Sequence, residues 1–263
     1  MSSQSSPGGT GGQSPLGSDG GPNALRPQKV ATLLAQRIVK DIIDSGLQPG
    51  AKLVPEHEMI RNYGVGRGTV REALRYLELE GVLTIRPGPG GGPVVADPGG
   101  NNFASLLSLL LALSRRPFED VVGSWEAFGP AMAAGCAVKA TPEDIEALRT
   151  SVEAISTAKG GDDFLEAYRA FHDRIAEGAD NHVYLYLLTS LRSLMESVGI
   201  RYATARRKAV VESSRAILDA IEARDPGAAR SAMERHLGEW ANYVRRRHGA
   251  EMNKPVGWGR QSQ

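Results

Sequence analysis

Cysteine is nearly absent from this sequence of 263 residues, which has a single one at position 136. One cysteine cannot form an internal disulfide or a structural zinc site, so the disulfide-stabilised secreted classes are excluded. Cys136 stands among small residues that suit a packed helix, and we expect its thiol to belong to the core. This cysteine usage fits a reducing, cytoplasmic environment.

Long apolar runs are also absent. The longest, residues 106–113, is interrupted by Ser108 and is far shorter than the roughly 20 residues that span a bilayer. The first residues hold neither a basic segment nor an apolar stretch, so no signal peptide is predicted. We therefore expect a soluble protein with no membrane partner.

An excess of charge of one sign is missing too, because 31 Lys and Arg balance 30 Asp and Glu to a net charge of +1. This balance disfavours a protein that coats nucleic acid over its whole surface. Any basic element must be local, so charge has to be examined segment by segment.

The pattern of residues 28–97 predicts three helices and a β-hairpin. An apolar residue recurs every fourth position of the first helix, and two more are expected to widen its buried stripe: Val30, Leu34, Ile38 and Ile42, with Leu33 and Ile43. A short second helix is predicted from Pro55 to Tyr63 and a third from about Arg67 to Glu80. Strands are predicted at 82–85 and 94–96, joined by a glycine-rich tip. Three helices followed by a hairpin form a winged helix-turn-helix.

After a linker at 97–100 the sequence predicts only helices. Two strong helix starts, Thr141-Pro142 and Asp225-Pro226, combine a capping side chain with proline in the first turn. The predicted helices are 101–113, 117–139, 142–158, 161–178, 181–206, 209–224 and 226–248. The fold class is therefore mainly α: an N-terminal winged helix-turn-helix with a small β-hairpin wing, then a C-terminal all-α antiparallel helical bundle.

Four segments follow from these patterns. Residues 1–27 are mostly Gly, Ser and Pro with two charged side chains, which predicts a disordered tail. We expect a winged helix-turn-helix domain at 28–97, a helical domain at 101–249 and a frayed tail at 250–263.

The third helix carries the most concentrated positive charge. Over residues 61–75 four arginines face one acid, Glu72, which gives a net charge of +3. Arg67, Arg71 and Arg75 are spaced by four, so they share one helix face, opposite the apolar residues. Arginine suits guanine because its guanidinium can donate to O6 and N7 together. An arginine-rich face can also be simply solvated, but the preceding turn and the following wing favour DNA reading.

The start of this helix can approach a DNA phosphate closely, because Gly66 and Gly68 have no side chain. Thr69 adds a hydroxyl for a phosphate or a base edge. The glycine-rich segment 88–92 does not predict a nucleotide loop, since a strand follows it where a helix would be needed.

Residues 30–96 resemble the N-terminal domain of the GntR family of bacterial transcription factors. The resemblance lies in an ordered, nearly gap-free run: Ile42–Gly46, Leu47–Glu56, Val65–Leu74 and Leu77–Leu83. It implies that Arg67 and Arg71 read DNA, supported by Thr69 and by the wing glycine Gly88. Two positions depart from the family. Where this chain has His57 the family often has Arg, and where it has Gly66 the family often has Ser or Thr. These departures predict weaker phosphate contacts or a changed half-site preference.

The helical half is similar to the FCD-like C-terminal domain of the FadR-type branch of that family, over about residues 101–245. The resemblance is carried by Met132–Ala134, Ala140–Ile145, Phe171-His172, Asp180-Asn181, Ala216–Asp225 and Met233–Leu237. That branch forms bundles of six or seven helices that dimerise and bind small carboxylates or acyl thioesters. The resemblance therefore implies a homodimer with a small-molecule effector, and it makes residues 101–249 the effector-binding and dimerisation domain and residues 28–97 the DNA-binding domain.

Many members of the branch hold a divalent metal with one Asp and three His. The corresponding positions here are Tyr168, His172, Ser214 and His236, so an anionic ligand and one imidazole are missing. Metal sites generally use three or four protein ligands. Only His172 and His236 remain as weak candidates, and we expect no tightly bound metal or other cofactor.

The same four residues can serve an effector directly, because hydroxyls and imidazoles are convergent donors for a carboxylate or carbonyl. The alternative is that both histidines are hydrogen-bonded core residues. Arg192 and Arg201, on the long central helix, can pair with an anion or be solvated.

Two other functional classes deserve comparison. His172-Asp173 is the dipeptide of the HD phosphohydrolases, but that chemistry needs further metal ligands, and Asp180 and His182 are the only close candidates. A structural nucleoid protein would not need the large helical domain. The resemblance therefore implies a non-enzymatic, sequence-specific regulator. We expect a repressor that binds double-stranded operator DNA under control of a small organic acid or acyl-CoA-type effector.

Overall fold

A computed structural model describes residues 27–88, 90–97, 101–197 and 202–257. These residues form two compact units, divided between Asp97 and residue 98. The N-terminal unit contains three helices and a two-stranded antiparallel sheet: α1 (Pro27–Asp44), α2 (Glu56–Tyr63), α3 (Arg67–Leu79), β1 (Leu83–Arg86) and β2 (Gly92–Val95). The predicted order of elements is confirmed.

The core of this unit is formed where α1 packs on α3, with the hairpin closing one side. Leu34, Ile38 and Ile42 of the predicted stripe are buried in it. The predicted widening of the stripe is wrong, because Leu33 is 47% and Ile43 69% exposed. The stripe widens on its other side instead, where Ala31 and Ala35 are buried. A turn of 100° per residue places Leu33 and Ile43 outside that arc, on the solvent side.

The wing is a hairpin in which Leu83 pairs with Val95 and Arg86 with Gly92. The turn between α1 and α2 extends the sheet, since the Leu53 amide donates to Pro93 O at 2.9 Å and Val95 N to Ala51 O at 2.9 Å. Gly88 at the tip has φ +88°, a conformation that favours glycine. The wing is therefore attached to the helices through β2.

The second unit is a bundle of helices. Its elements are α4 (Asn101–Leu113), α5 (Phe118–Lys139), α6 (Pro142–Thr157), α7 (Gly161–Gly178), α8 (His182–Ser197), α9 (Tyr202–Ala205), α10 (Arg207–Glu222), α11 (Pro226–Arg247) and α12 (Gly249–Met252). Both predicted caps are present: Thr141 and Asp144 form a capping box, and Asp225 accepts from the amides of the first turn of α11. The α5–α11 pair forms the centre of the bundle.

Two boundaries differ from the predicted ones. The helix predicted over 181–206 is described as α8 and α9, and residues 198–201, including Arg201, lie outside the described part. The expectation of a frayed tail from residue 250 is wrong as far as residue 257. There Met252 and Val256 are buried, and the Phe118 amide donates to Lys254 O at 3.0 Å, so this segment packs on the start of α5. Residues 258–263 and the tail predicted at 1–26 lie outside the described residues.

Cys136 is fully buried in α5, and burial raises the pKa of its thiol to about 12. It is a core residue, as predicted.

None of the helices in the described part of the chain is long and apolar enough to cross a membrane.

Candidate functional site

The arginines of α3 lie on the solvent side of the N-terminal unit. Val70, Ala73, Leu74 and Leu77 are buried on the inner face of the helix. The side chains of Arg67 and Arg71 are 72% and 63% exposed, and Arg75 is exposed as well. The helix therefore presents a row of guanidinium groups to solvent, as its spacing of four predicts.

The N-terminus of α3 is open. Gly66 is its N-cap and offers no side-chain hydrogen bond to the first turn. A side chain at Gly66 or Gly68 would meet nothing within 4 Å, so a phosphate can come close to the backbone amides there. Thr69 is half-buried beside them.

Two further predicted DNA contacts lie at the edges of this surface. His57, in the first turn of α2, is exposed, with Nε2 3.8 Å from the Glu58 carboxylate. Gly88 is exposed at the tip of the wing, and Lys52 Nζ donates to the carbonyl of Gly90 at 2.9 Å, which ties a basic side chain to the wing.

Sequence reasoning missed Glu56, the first residue of α2. Its Oε1 accepts from Arg71 Nε at 2.9 Å and from Arg67 Nε at 3.2 Å. The sequence does show an acidic residue at the start of α2, the helix before the arginine-rich α3. Residue spacing alone does not show that this carboxylate reaches both arginines.

The second candidate site is a cavity of about 130 Å³ inside the helical unit. Its apolar wall combines aromatic and aliphatic side chains: Trp125, Leu165, Leu188, Met195 and Trp240. Its polar lining includes Tyr168, His172 and two arginines, Arg169 and Arg192. Both arginines are already paired, Arg192 with Asp173 at 2.7 Å and Arg169 with Glu196 at 2.7 Å.

The rings of three of the four predicted residues lie close together. The ring of His172 lies 4.8 Å from that of Tyr168 and 5.5 Å from that of His236, measured between centroids. Tyr168 and His172 line the cavity, whereas His236 is buried behind Tyr168 and bonded to its hydroxyl at 2.8 Å. Ser214 is buried, and its hydroxyl has no hydrogen-bond partner within the described residues.

Ser213, the neighbour of Ser214 in α10, was not among the predicted residues, yet it bonds to His236. Its hydroxyl donates to the carbonyl of Ala209 at 2.8 Å and lies 2.7 Å from His236 Nδ1. Because a serine has one hydroxyl proton, Nδ1 must donate to it, and Nε2 then accepts from Tyr168. Both nitrogens of His236 are therefore occupied.

His172 is different. It is only 5% exposed, and neither of its ring nitrogens has a hydrogen-bond partner within the described residues. Burial, with His236 and Arg192 nearby, lowers its pKa well below the usual value, so the ring is neutral at pH 7. A buried polar group without a partner is costly, so a ligand that bonds to His172 would remove that cost. The Nε atom of Arg169 in the same lining also has no partner within the described residues.

This donor set does not fit a divalent metal. His236 uses both nitrogens inside the protein and Tyr168 donates to it, so His172 is the one free imidazole among the four positions. The described residues contain no group of three or more His, Cys, Asp and Glu that could hold a metal. Asp173 is bonded to Arg192, so the phosphohydrolase alternative gains no support there.

The comparisons with known proteins agree with both units. The model of the "Bacterial regulatory proteins, gntR family" matches residues 31–91, and the model of the FCD domain matches residues 125–239. A relative in Escherichia coli K12, the "Putative L-lactate dehydrogenase operon regulatory protein", is 30% identical over 222 residues, which cover 80% of this chain and 84% of that protein.

The chain belongs to the GntR family of DNA-binding transcription regulators and carries an FCD domain.

A second curated relative supports this membership, and a solved structure shares the fold. The "Fatty acid metabolism regulator protein" of Pasteurella multocida is 31% identical over 183 residues, covering 68% of this chain and 73% of that protein. Among solved structures, Streptococcus agalactiae GntR aligns with a TM-score of 0.64 at 24% identity, over 81% of this chain and 99% of that chain. The latter similarity shows the shared fold.

Proposed function

We propose that this GntR-family regulator is a homodimeric repressor whose affinity for its operator is controlled by a small organic acid bound in the FCD-domain cavity. The observation that carries the effector part is the buried, neutral His172 with two unpaired ring nitrogens. Effector control requires a ligand that binds two states of the protein with different affinities. An unpaired polar group in a cavity can form a hydrogen bond with such a ligand.

The DNA part rests on the exposed row of Arg67, Arg71 and Arg75 and on the open helix start at Gly66 and Gly68. In this proposal Arg67 and Arg71 donate to base edges, and the helix start with Thr69 binds the phosphate backbone. His57 and the wing at Gly88 make flanking contacts.

The size and lining of the cavity favour a small acid over a whole acyl-CoA. A cavity of about 150 Å³ accommodates benzene, so one of about 130 Å³ suits an acid of few carbon atoms with an apolar body. Its carboxylate can compete with Asp173 for Arg192 while His172 donates to it. The relative named for an L-lactate dehydrogenase operon agrees with this ligand class. No metal takes part.

We expect small carboxylic acids to stabilise the protein, because binding to the folded state alone raises the free energy of unfolding. At hundredfold excess over Kd the gain is about 2.7 kcal/mol, or a rise in Tm of roughly 5–10 °C. The measurement is a thermal-shift screen of the full chain against short carboxylic acids, their neutral amides and acyl-CoAs.

The matched variants for this screen are His172→Phe, which keeps a buried ring without nitrogens, and His182→Phe, at the exposed start of α8. The acid that stabilises the wild type should release it from DNA, stabilise His182→Phe equally and leave His172→Phe unchanged. An equal response of His172→Phe would remove this histidine from the site, and stabilisation by acyl-CoAs alone would contradict the small-acid proposal.

The outer face of α4 supports the dimer. This helix has no charged residue, and its buried face packs on α8. Large apolar side chains also recur on its exposed face at spacings of three, four and three: Phe103, Leu106, Leu110 and Leu113. Helices that are apolar all round are normally buried, and a 3-4-3 stripe suits pairing with the same stripe of a second copy.

Leu110→Glu should therefore shift the protein to monomers, because two carboxylates would be buried against each other in the dimer. Ser105→Glu, on the exposed side of α4 away from the stripe, is the matched control and should remain dimeric. Sedimentation equilibrium of both variants gives the answer. Identical dimer dissociation constants for the two would place the dimer contact elsewhere.

A further inference from the structure

Glu56 joins the two arginines that are proposed to read DNA. A single carboxylate oxygen accepts from the Nε atoms of Arg67 and Arg71, and the Glu56 side chain is only 29% exposed. Both guanidinium groups are thus fixed at the atom nearest their stems, while most of each side chain remains exposed.

This arrangement limits how the arginines can meet a base. A guanidinium can grip guanine O6 and N7 with its two Nη groups or with Nε and one Nη group. Because Nε of each arginine donates to Glu56, the mode that uses Nε is excluded. Each arginine can then bind guanine only with its two Nη groups. Holding the side chains also removes rotamer freedom before DNA arrives, which lowers the entropy cost of binding.

The same carboxylate acts against binding to DNA of any sequence. Affinity that is independent of sequence depends on the positive charge that meets the phosphates, and Glu56 cancels one unit of charge in the middle of the arginine row. Its effects on specific and non-specific binding therefore have opposite signs.

We propose that Glu56 is a positioning residue for DNA recognition, which orients Arg67 and Arg71 toward base edges and weakens their attraction to non-cognate DNA. This inference rests on the proposed reading role of the two arginines. It predicts that Glu56 contributes to selectivity, the ratio of cognate to non-cognate affinity, and that this contribution exceeds what its charge alone explains.

The chain offers a matched control for charge. Glu72 lies on α3 beside Arg71, is exposed, and forms no ion pair or hydrogen bond within the described residues. Glu56→Gln and Glu72→Gln therefore remove the same charge from the same surface, but only the first disturbs the contact with the arginines. Glu56→Asp keeps the charge and shortens the side chain, so it disturbs the contact alone.

The experiment uses the full chain and a duplex that the wild type selects from a randomised library, with a scrambled duplex as the non-cognate probe. Affinities for both are measured by fluorescence anisotropy over a range of KCl concentrations. Glu56→Gln should lower selectivity roughly tenfold, with unchanged or tighter binding to the scrambled duplex and a salt slope steeper by about one. Glu72→Gln should tighten binding to both duplexes equally, and Glu56→Asp should lose selectivity at the wild-type salt slope.

Arg71→Ala and the double variant separate this inference from the one on which it rests. If Glu56 acts through Arg71, the loss of selectivity on Glu56→Gln should shrink in the Arg71→Ala background. Equal selectivity of Glu56→Gln, Glu56→Asp and Glu72→Gln, with Arg71→Ala impaired, would overturn the positioning role alone. Full selectivity of Arg71→Ala would overturn the reading assignment and the positioning role together.

Discussion

Replacing Arg71 with alanine should weaken operator binding by about 1–3 kcal/mol, which is roughly five- to 150-fold in Kd. The reason is geometric. Arg71 lies one turn into α3, on the same exposed face as Arg67, where a recognition helix meets the floor of the major groove. Loss of its guanidinium should relax the sequence preference at one base pair of each half-site, which binding to single-base variants of the selected duplex measures.

Arg61→Ala is the control for this prediction. Arg61 is an exposed residue of the same basic patch but belongs to α2, so its loss should weaken binding to all sequences by a similar factor and reduce the salt slope by about one. The assignment of Arg71 is wrong if its variant behaves in the same way as Arg61→Ala, with no position of the duplex losing its preference.

The free energy of unfolding should fall steeply as the pH is lowered from about 6.5 toward 4. Burial lowers the pKa of His236 to about 4, against about 6.5 in an unfolded chain. Between these values the unfolded state takes up a proton that the folded state does not, so stability is full above pH 6.5 and is lost as the pH falls. The loss from His236 amounts to about 3 kcal/mol, and His172, whose pKa is also lowered, adds to it.

Urea unfolding of the wild type and His172→Phe at several pH values between 4.5 and 7.5 tests this expectation. Titration of the carboxylates is common to both proteins, so it cancels in the difference between them. The variant should gain stability relative to the wild type as the pH falls below 6.5. A difference that does not depend on pH would mean that His172 titrates normally in the folded protein and is not desolvated.

Much of the fold could be predicted because local signals agreed with tertiary packing. Thr141 and Asp225 cap the helices that their sequence context predicts, and the period of four in α1 gives Leu34, Ile38 and Ile42 as buried residues. Met252 and Val256 carried no such signal. They are isolated apolar residues in a polar segment, and their burial depends on backbone hydrogen bonds to the start of α5, which no local pattern encodes.

The candidate sites were predictable to the level of the helix face but not always to the residue. A shift of one position turns a helical side chain by about 100°, and this is the difference between Ser214, which was expected near His236, and Ser213, which bonds to it. Glu56 was missed for a related reason: its contact with Arg67 and Arg71 joins two helices, and sequence spacing cannot give the angle between them.

Sequence-specific binding of double-stranded DNA through α3 can be measured by selecting duplexes from a randomised library with the full chain. We expect strong enrichment of one motif made of two inverted half-sites, as the proposed dimer requires, and loss of that enrichment when Arg67 and Arg71 are both replaced by alanine. A wild-type selection that ends as random as it began, or a motif enriched equally by the double variant, would contradict it.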